Sequence, residues 1–195
     1  MPYYFPIDYR PEGESISSSY TQFAFVYKEA LERLIHDFTS NHPIHDYSLA
    51  PAAMLLIHYI ELTLKGVIYY CSNEEHKPIG THDISYLYKK ASDDVISRFG
   101  NPGKANDEVE RFILLFGDFD KKSQALRYPE TREGEALQFA EMDDWLYNRL
   151  CTIEGLIDIS KKVMGDLDGI VGFIEFQLER EEETARNANY WFDRR

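Results

Sequence analysis

Cysteine is scarce. Only Cys71 and Cys151 occur in 195 residues, both inside apolar stretches. Two thiols build no disulfide framework; they fit a reducing compartment and read as buried free thiols. Positive charge is also short. Lys and Arg number 21 against 34 Asp and Glu, leaving a net charge of −13. That balance argues against broad electrostatic binding to nucleic acid or anionic lipid, while leaving room for a small basic pocket. Histidine stops early, with all six at or before position 82. No Cys/His spacing points to zinc, and His42 with His45 in one loop reads as surface. Gly-x-Ser-x-Gly, P-loop and Gly-x-Gly-x-x-Gly patterns do not occur. Gly165-Asp166-Leu167-Asp168-Gly169 looks like a calcium loop but lacks the later glutamate at the required offset. The expectation is a protein without metal or cofactor.

The opening residues, MPYYFPIDYRPEGES, lack a basic segment followed by an apolar one, so they do not read as a signal peptide. One run, Ala52–Cys71, is apolar enough to suggest a membrane span. It carries His58, Glu61 and Lys65 near its middle, which makes it a better core helix. A cytoplasmic protein with no membrane attachment is expected.

What the sequence does contain is helical periodicity. Residues 1–14, with three prolines and three tyrosines, read as an extended arm. Residues 15–179 read as one domain, and 180–195 as a charged tail ending in Tyr190-Trp191-Phe192. A first helix is expected from Ser17–Ser19 to Asn41, its apolar face formed by Phe23, Val26, Tyr27, Ala30, Leu34 and Phe38. A second begins after Ser48 as N-cap, with Pro51 in the first turn. A third opens at Thr81 or His82, with Asp83 in its first turn, and stops at Gly100-Asn101-Pro102-Gly103. A fourth covers residues 106–119. Residues 125–139, ALRYPETREGEALQF, fit a small β-hairpin or an ordered loop. From Leu146 through Leu150, Ile153, Ile157, Ser160, Met164, Leu167, Val171 and Ile174 to Leu178, spacings of four and three alternate. That is a heptad seam on one long last helix, for packing within a bundle or for dimerisation. The fold class is mainly α: an up-and-down bundle of about five helices.

Three constellations could carry chemistry. His58, Glu61 and Lys65 share one stripe of the second helix, and Glu before Lys at i,i+4 is the favourable ion-pair order. They form either a structural polar network or part of a binding site. Gly80-Thr81-His82-Asp83-Ile84 places His82 over the free N–H groups of a helix start, or simply caps that start through Thr81 and Asp83. Leu126-Arg127-Tyr128-Pro129 offers Arg127 to a carboxylate or phosphate, or to Glu61 itself, with Pro129 holding Tyr128 extended.

Taken in order, Glu61-Leu62-Thr63-Leu64-Lys65, then Gly80–Ile84, then Arg127-Tyr128-Pro129 and a long last helix resemble bacterial HEPN-like proteins, the higher-eukaryote and prokaryote nucleotide-binding domain. The resemblance spans about residues 45–178. It implies an up-and-down helical bundle, often a homodimer, working in toxin–antitoxin, phage-defence or RNA-processing systems, in some cases with a cognate protein partner. Catalytic relatives cut RNA with an Arg-x4–6-His motif, histidine moving protons and arginine stabilising phosphate charge. This chain departs from that motif. Its late helices have no histidine, Arg33 and His36 stand too close, and the segment ending at His82 lacks the arginine. The resulting expectation is a non-catalytic protein that binds a small anionic ligand, a nucleotide by resemblance, or a partner protein. The binding cluster would be His58, Glu61, Lys65, His82, Asp83, Arg127 and Tyr128. Two alternatives stand beside it: an RNA-cleaving enzyme with a rearranged site, and a purely structural dimerisation module.

Overall fold

The computed structural model describes residues 16–40, 48–72, 79–103, 105–120 and 142–192. They form α1 (Ile16–Thr39), α2 (Leu49–Cys71), α3 (Ile84–Phe99), α4 (Asp107–Asp120), α5 (Asp144–Leu150) and α6 (Ile153–Phe192). No strand occurs among the described residues. The expected arm at 1–14 and the expected hairpin at 125–139, with Arg127 and Tyr128, lie outside them.

The fold is an all-α bundle organised around α2. This helix packs on α1, α3, α5 and α6, which explains why its residues are apolar on nearly every side. Ala52, Leu56, Ile60, Leu64 and Val67 are all fully enclosed. It is the one helix among the described residues long and apolar enough to cross a membrane, and most of it lies inside the bundle. Around it the amphipathic rule holds. α3 buries Ile84, Leu87, Tyr88, Ala91 and Val95, and α4 buries Val109, Phe112, Ile113 and Phe116, each set spaced by threes and fours.

Two expectations are corrected. On α1 the buried face is Ala24, Leu31, Ile35 and Phe38, whereas Phe23 and Val26 are about half exposed, at 51% and 48%. α1 carries apolar residues around much of its circumference, so its periodicity admits two stripes, and contact with α2 selects one. The long seam is likewise interrupted. α5 ends at Leu150, and Ile153 and Ile157 at the start of α6 are only half-buried; the seam resumes with Ser160, Met164, Leu167 and Ile174, which are buried beside Leu156, Ile159 and Val163. At the break Thr152 Oγ1 accepts from Gly155 N at 3.1 Å and donates to the Asn148 carbonyl at 2.6 Å. α6 then continues through the charged segment to Phe192.

Polar ties join the layers. Asp168 on α6 accepts from Lys28 of α1 at 2.5 Å and from the Tyr59 hydroxyl of α2 at 3.1 Å. Glu108 of α4 and Asp158 of α6 share Lys162 and Arg149. Three buried side-chain atoms, Thr63 Oγ1, Arg149 Nε and Ser160 Oγ, have no hydrogen-bond partner among the described residues. Ser160 is wholly buried, and its hydroxyl finds no partner among the described residues. A buried hydroxyl left unsatisfied costs about 1–3 kcal/mol. Ser160→Ala is therefore expected to hold or raise the melting temperature; a clear fall would show that the hydroxyl has a partner.

Burial also sets the alkaline limit of the fold. Burial, then Asp94, pushes the Cys71 thiol up to about 11 from 9.0. Burial, then Glu110 and Asp166, pushes the Tyr88 phenol up to about 12 from 10.0. Burial and Asp168 push Tyr59 higher still. Each group stays protonated in the folded chain at a pH where the unfolded chain loses the proton. The folded state then binds more protons, so stability falls as pH rises from about 9 towards 12. An ultraviolet titration should show tyrosines that ionise only on unfolding, and all tyrosines titrating together near 10 would refute this.

Candidate functional site

The site is built where α2 faces the loop leading into α3. Glu61 and Lys65 sit one turn apart on α2, and Lys65 Nζ donates to Glu61 Oε1 at 2.9 Å. Both are almost completely enclosed, at 5% and 4% exposure. Burying two charges is tolerated because they neutralise one another across a short hydrogen bond. The same Oε1 takes a second contact, from His82 Nδ1 at 2.8 Å. An oxygen that already accepts from an ammonium also accepts from the imidazole, so Nδ1 carries the hydrogen. The outer imidazole nitrogen, Nε2, then belongs to a side chain that is 56% exposed. One end of the cluster is sealed, and the other reaches solvent.

The α3 start is closed rather than open. Asp83 is the N-cap, and the helix starts at Ile84, two or three residues later than the expected start at Thr81 or His82. Its Oδ1 accepts from Tyr86 N at 3.0 Å and from Ser85 Oγ at 2.7 Å, while Thr81 Oγ1 accepts from Asp83 N at 3.1 Å. Thr81 and Asp83 thus cap the helix, and Asp83 brings a negative charge to the place where an anion would need free N–H groups. Their role is to fix the loop that aims His82 at Glu61. Tyr69 holds the same loop from below, its hydroxyl accepting from Ile79 N at 3.2 Å.

Of the seven site residues read from the sequence, the structure brings Glu61, Lys65 and His82 into one hydrogen-bonded unit, with Asp83 beside it as cap. His58 is turned elsewhere. Its Nδ1 donates to the Met54 carbonyl at 2.9 Å, and its ring stacks on Tyr27 of α1 with centroids 5.2 Å apart. Arg127 and Tyr128 lie outside the described residues. Among those described, no group of three or more His, Cys, Asp or Glu is placed to hold a metal ion.

What the arrangement can do follows from its two ends. The enclosed Glu61–Lys65 pair is a rigid, nearly neutral base. Lys65 spends its charge on Glu61 and does not face a ligand. His82, oriented through Nδ1, presents its outer edge as an acceptor when neutral and a donor when protonated. Compared with protein family models, with curated proteins and with solved structures, the chain finds no match in any of the three.

Proposed function

We propose that this protein is a non-catalytic, HEPN-like helical protein that binds a small anionic ligand, a nucleotide by resemblance, at the exposed edge of His82. The observation that carries the reading is the contact of His82 Nδ1 with the buried Glu61 carboxylate at 2.8 Å on a side chain that remains 56% exposed. The carboxylate behind the imidazole fixes its orientation and tautomer, and an imidazolium so held donates through Nε2 to phosphate or carboxylate oxygens. Glu61 is the positioning residue, and Lys65 supports Glu61 rather than the ligand. Arg127 and Tyr128 enter the proposal on sequence grounds, as the cation and hydroxyl that complete the anion's surroundings.

The test is calorimetric titration of the purified protein with inorganic phosphate, AMP, ADP and ATP. His82→Ala is expected to weaken binding at least about tenfold, a loss of roughly 1.4 kcal/mol, with an unchanged circular dichroism spectrum. Absence of binding by every one of these anions, or equal binding by the variant, refutes the proposal.

The same contact favours a second reading. A histidine held through Nδ1 by a buried carboxylate is arranged as a general acid–base at Nε2. In an RNA-cleaving enzyme with a rearranged site, His82 would move the proton and Arg127 would stabilise phosphate charge. Cleavage of varied RNAs in the presence of a chelator, lost in both His82→Ala and Arg127→Ala, would select it. An inert wild-type protein would discard it.

A further inference from the structure

A concavity lies between α2, α3, α6 and the loop joining α3 to α4. Its volume is about 290 Å³, and none of its lining residues belongs to the Glu61 cluster. Leu64 and Val67 of α2 and Ala91 and Val95 of α3 form apolar walls. Gly165 and Gly169 of α6 form its floor. Glycine inside a helix costs about 1 kcal/mol relative to alanine and is usually explained by close approach of another element. That explanation fails here, because a Cβ added at either position would meet nothing within 4 Å. The two glycines border open space.

Two polar groups line this cavity. Tyr88 is 93% buried, with 7% exposure, yet its hydroxyl makes no hydrogen bond among the described residues. Asp166 uses Oδ2 to accept from Asn106 N at 2.7 Å, which pins the α3–α4 loop over α6 and leaves Oδ1 with no partner among the described residues. A carboxylate accepts up to about four hydrogen bonds. The phenol oxygen is not sealed in like the Ser160 hydroxyl; it opens on the cavity, where it is available to a ligand. Because burial and the neighbouring acids Glu110 and Asp166 hold the phenol protonated, it keeps its hydrogen throughout the neutral range. None of the described lining residues is basic.

We infer that this cavity is a binding site for a small amphiphilic cation, an apolar or aromatic body carrying one ammonium group. The body lies over Gly165 and Gly169 between the walls of α2 and α3, and the ammonium reaches the Asp166 carboxylate and the Tyr88 oxygen. The volume stands at the lower end of the roughly 300–1,000 Å³ range of small-molecule sites, which suits a compact ligand. Anions are disfavoured, since they would face the Asp166 carboxylate with no cation among the described lining residues to offset it.

The experiment uses tryptamine as probe, with indole-3-acetate as its anionic counterpart, read by calorimetry and by heteronuclear NMR on the full chain. Tryptamine is expected to bind saturably at one site, shifting resonances of Tyr88, Ala91 and Gly169. Indole-3-acetate should bind at least about tenfold more weakly. Gly169→Leu should fill the cavity and abolish binding. Tyr88→Phe should weaken it about tenfold without altering the fold, since the hydroxyl has no partner to lose among the described residues. If Gly169→Leu does not fold, Tyr88→Phe decides alone. No saturable binding of tryptamine at millimolar concentration, equal binding of the two indoles, or undiminished binding by a folded variant overturns the inference.

Discussion

Lys65→Met is expected to destabilise the fold by about 3–5 kcal/mol, the cost of leaving one partner of a buried ion pair behind. Methionine matches the length and shape of the lysine stem, so little packing is lost. The penalty arises at Glu61, which at 5% exposure loses the ammonium 2.9 Å away. His82 still touches the same oxygen but is half in solvent and offsets only part of the loss. For a chain of this size each kcal/mol moves the melting temperature by roughly 2–4 °C, so a fall of roughly 6–20 °C should be read by calorimetry. The double variant Glu61→Leu/Lys65→Met sharpens the test. With both charges gone, no ion is stranded, and much of the stability should return. The site should not return with it, because His82 then lacks the carboxylate that orients its ring. A melting temperature unchanged in Lys65→Met would mean that water reaches the pair, and would remove the sealed base on which the His82 reading stands.

How much of this was legible in the sequence depends on whether the deciding interaction is local. The helices were legible because periodicity and stop signals are local. α2 starts directly after Ser48, with Pro51 in its first turn, although the Ser48 side chain makes no capping hydrogen bond, and Gly100, which adopts φ +87°, ends α3. The face α1 buries was not legible, since Phe23 and Leu31 are equally apolar and only α2 distinguishes them. The α5–α6 break was missed because no proline or glycine pair announces it. Its signal is weaker: Asp143 caps α5 by accepting from Trp145 N and Leu146 N, and Thr152 caps α6 three residues before Gly155. Within the site, the i,i+4 pairing of Glu61 with Lys65 followed from spacing. The contact of Glu61 with His82, 21 positions away, was not legible, because no helical period connects a helix to a loop; the family resemblance placed the two only in one cluster. His58 shares the stripe in sequence, yet its ring is claimed by Met54 and Tyr27. Tyr88 and Asp166 carried no signal. A tyrosine at a core position and an aspartate on a helix look ordinary until a cavity is found between them.

Gly155→Ala and Gly169→Ala place the same methyl group on the same helix and should move stability in opposite directions. At Gly155 an added Cβ would lie 1.9 Å from the Asn148 carbonyl oxygen and 2.7 Å from Thr152 Oγ1. The first is backbone of α5 and cannot swing aside as a side-chain tip would. Either the α5–α6 elbow opens or the first turn of α6 unwinds. Opening also disturbs the Thr152 hydroxyl, which bonds Asn148 on one side and Gly155 on the other. Overpacking of this kind costs about 1–3 kcal/mol, and loss of the cap adds about 1 kcal/mol. The total expected for Gly155→Ala is a loss of roughly 2–4 kcal/mol, with Leu146 and Leu150 losing their packing against α6 first. At Gly169 the new methyl meets nothing within 4 Å. There the substitution only raises helix propensity, a gain of about 1 kcal/mol. Urea unfolding of both variants beside the wild type gives the comparison directly. If Gly155→Ala unfolds at the wild-type midpoint, the close approach of Asn148 to α6 is not a feature of the folded chain. If Gly169→Ala loses stability, something occupies the space above α6, and the cavity floored by Gly165 and Gly169 is filled by the protein itself.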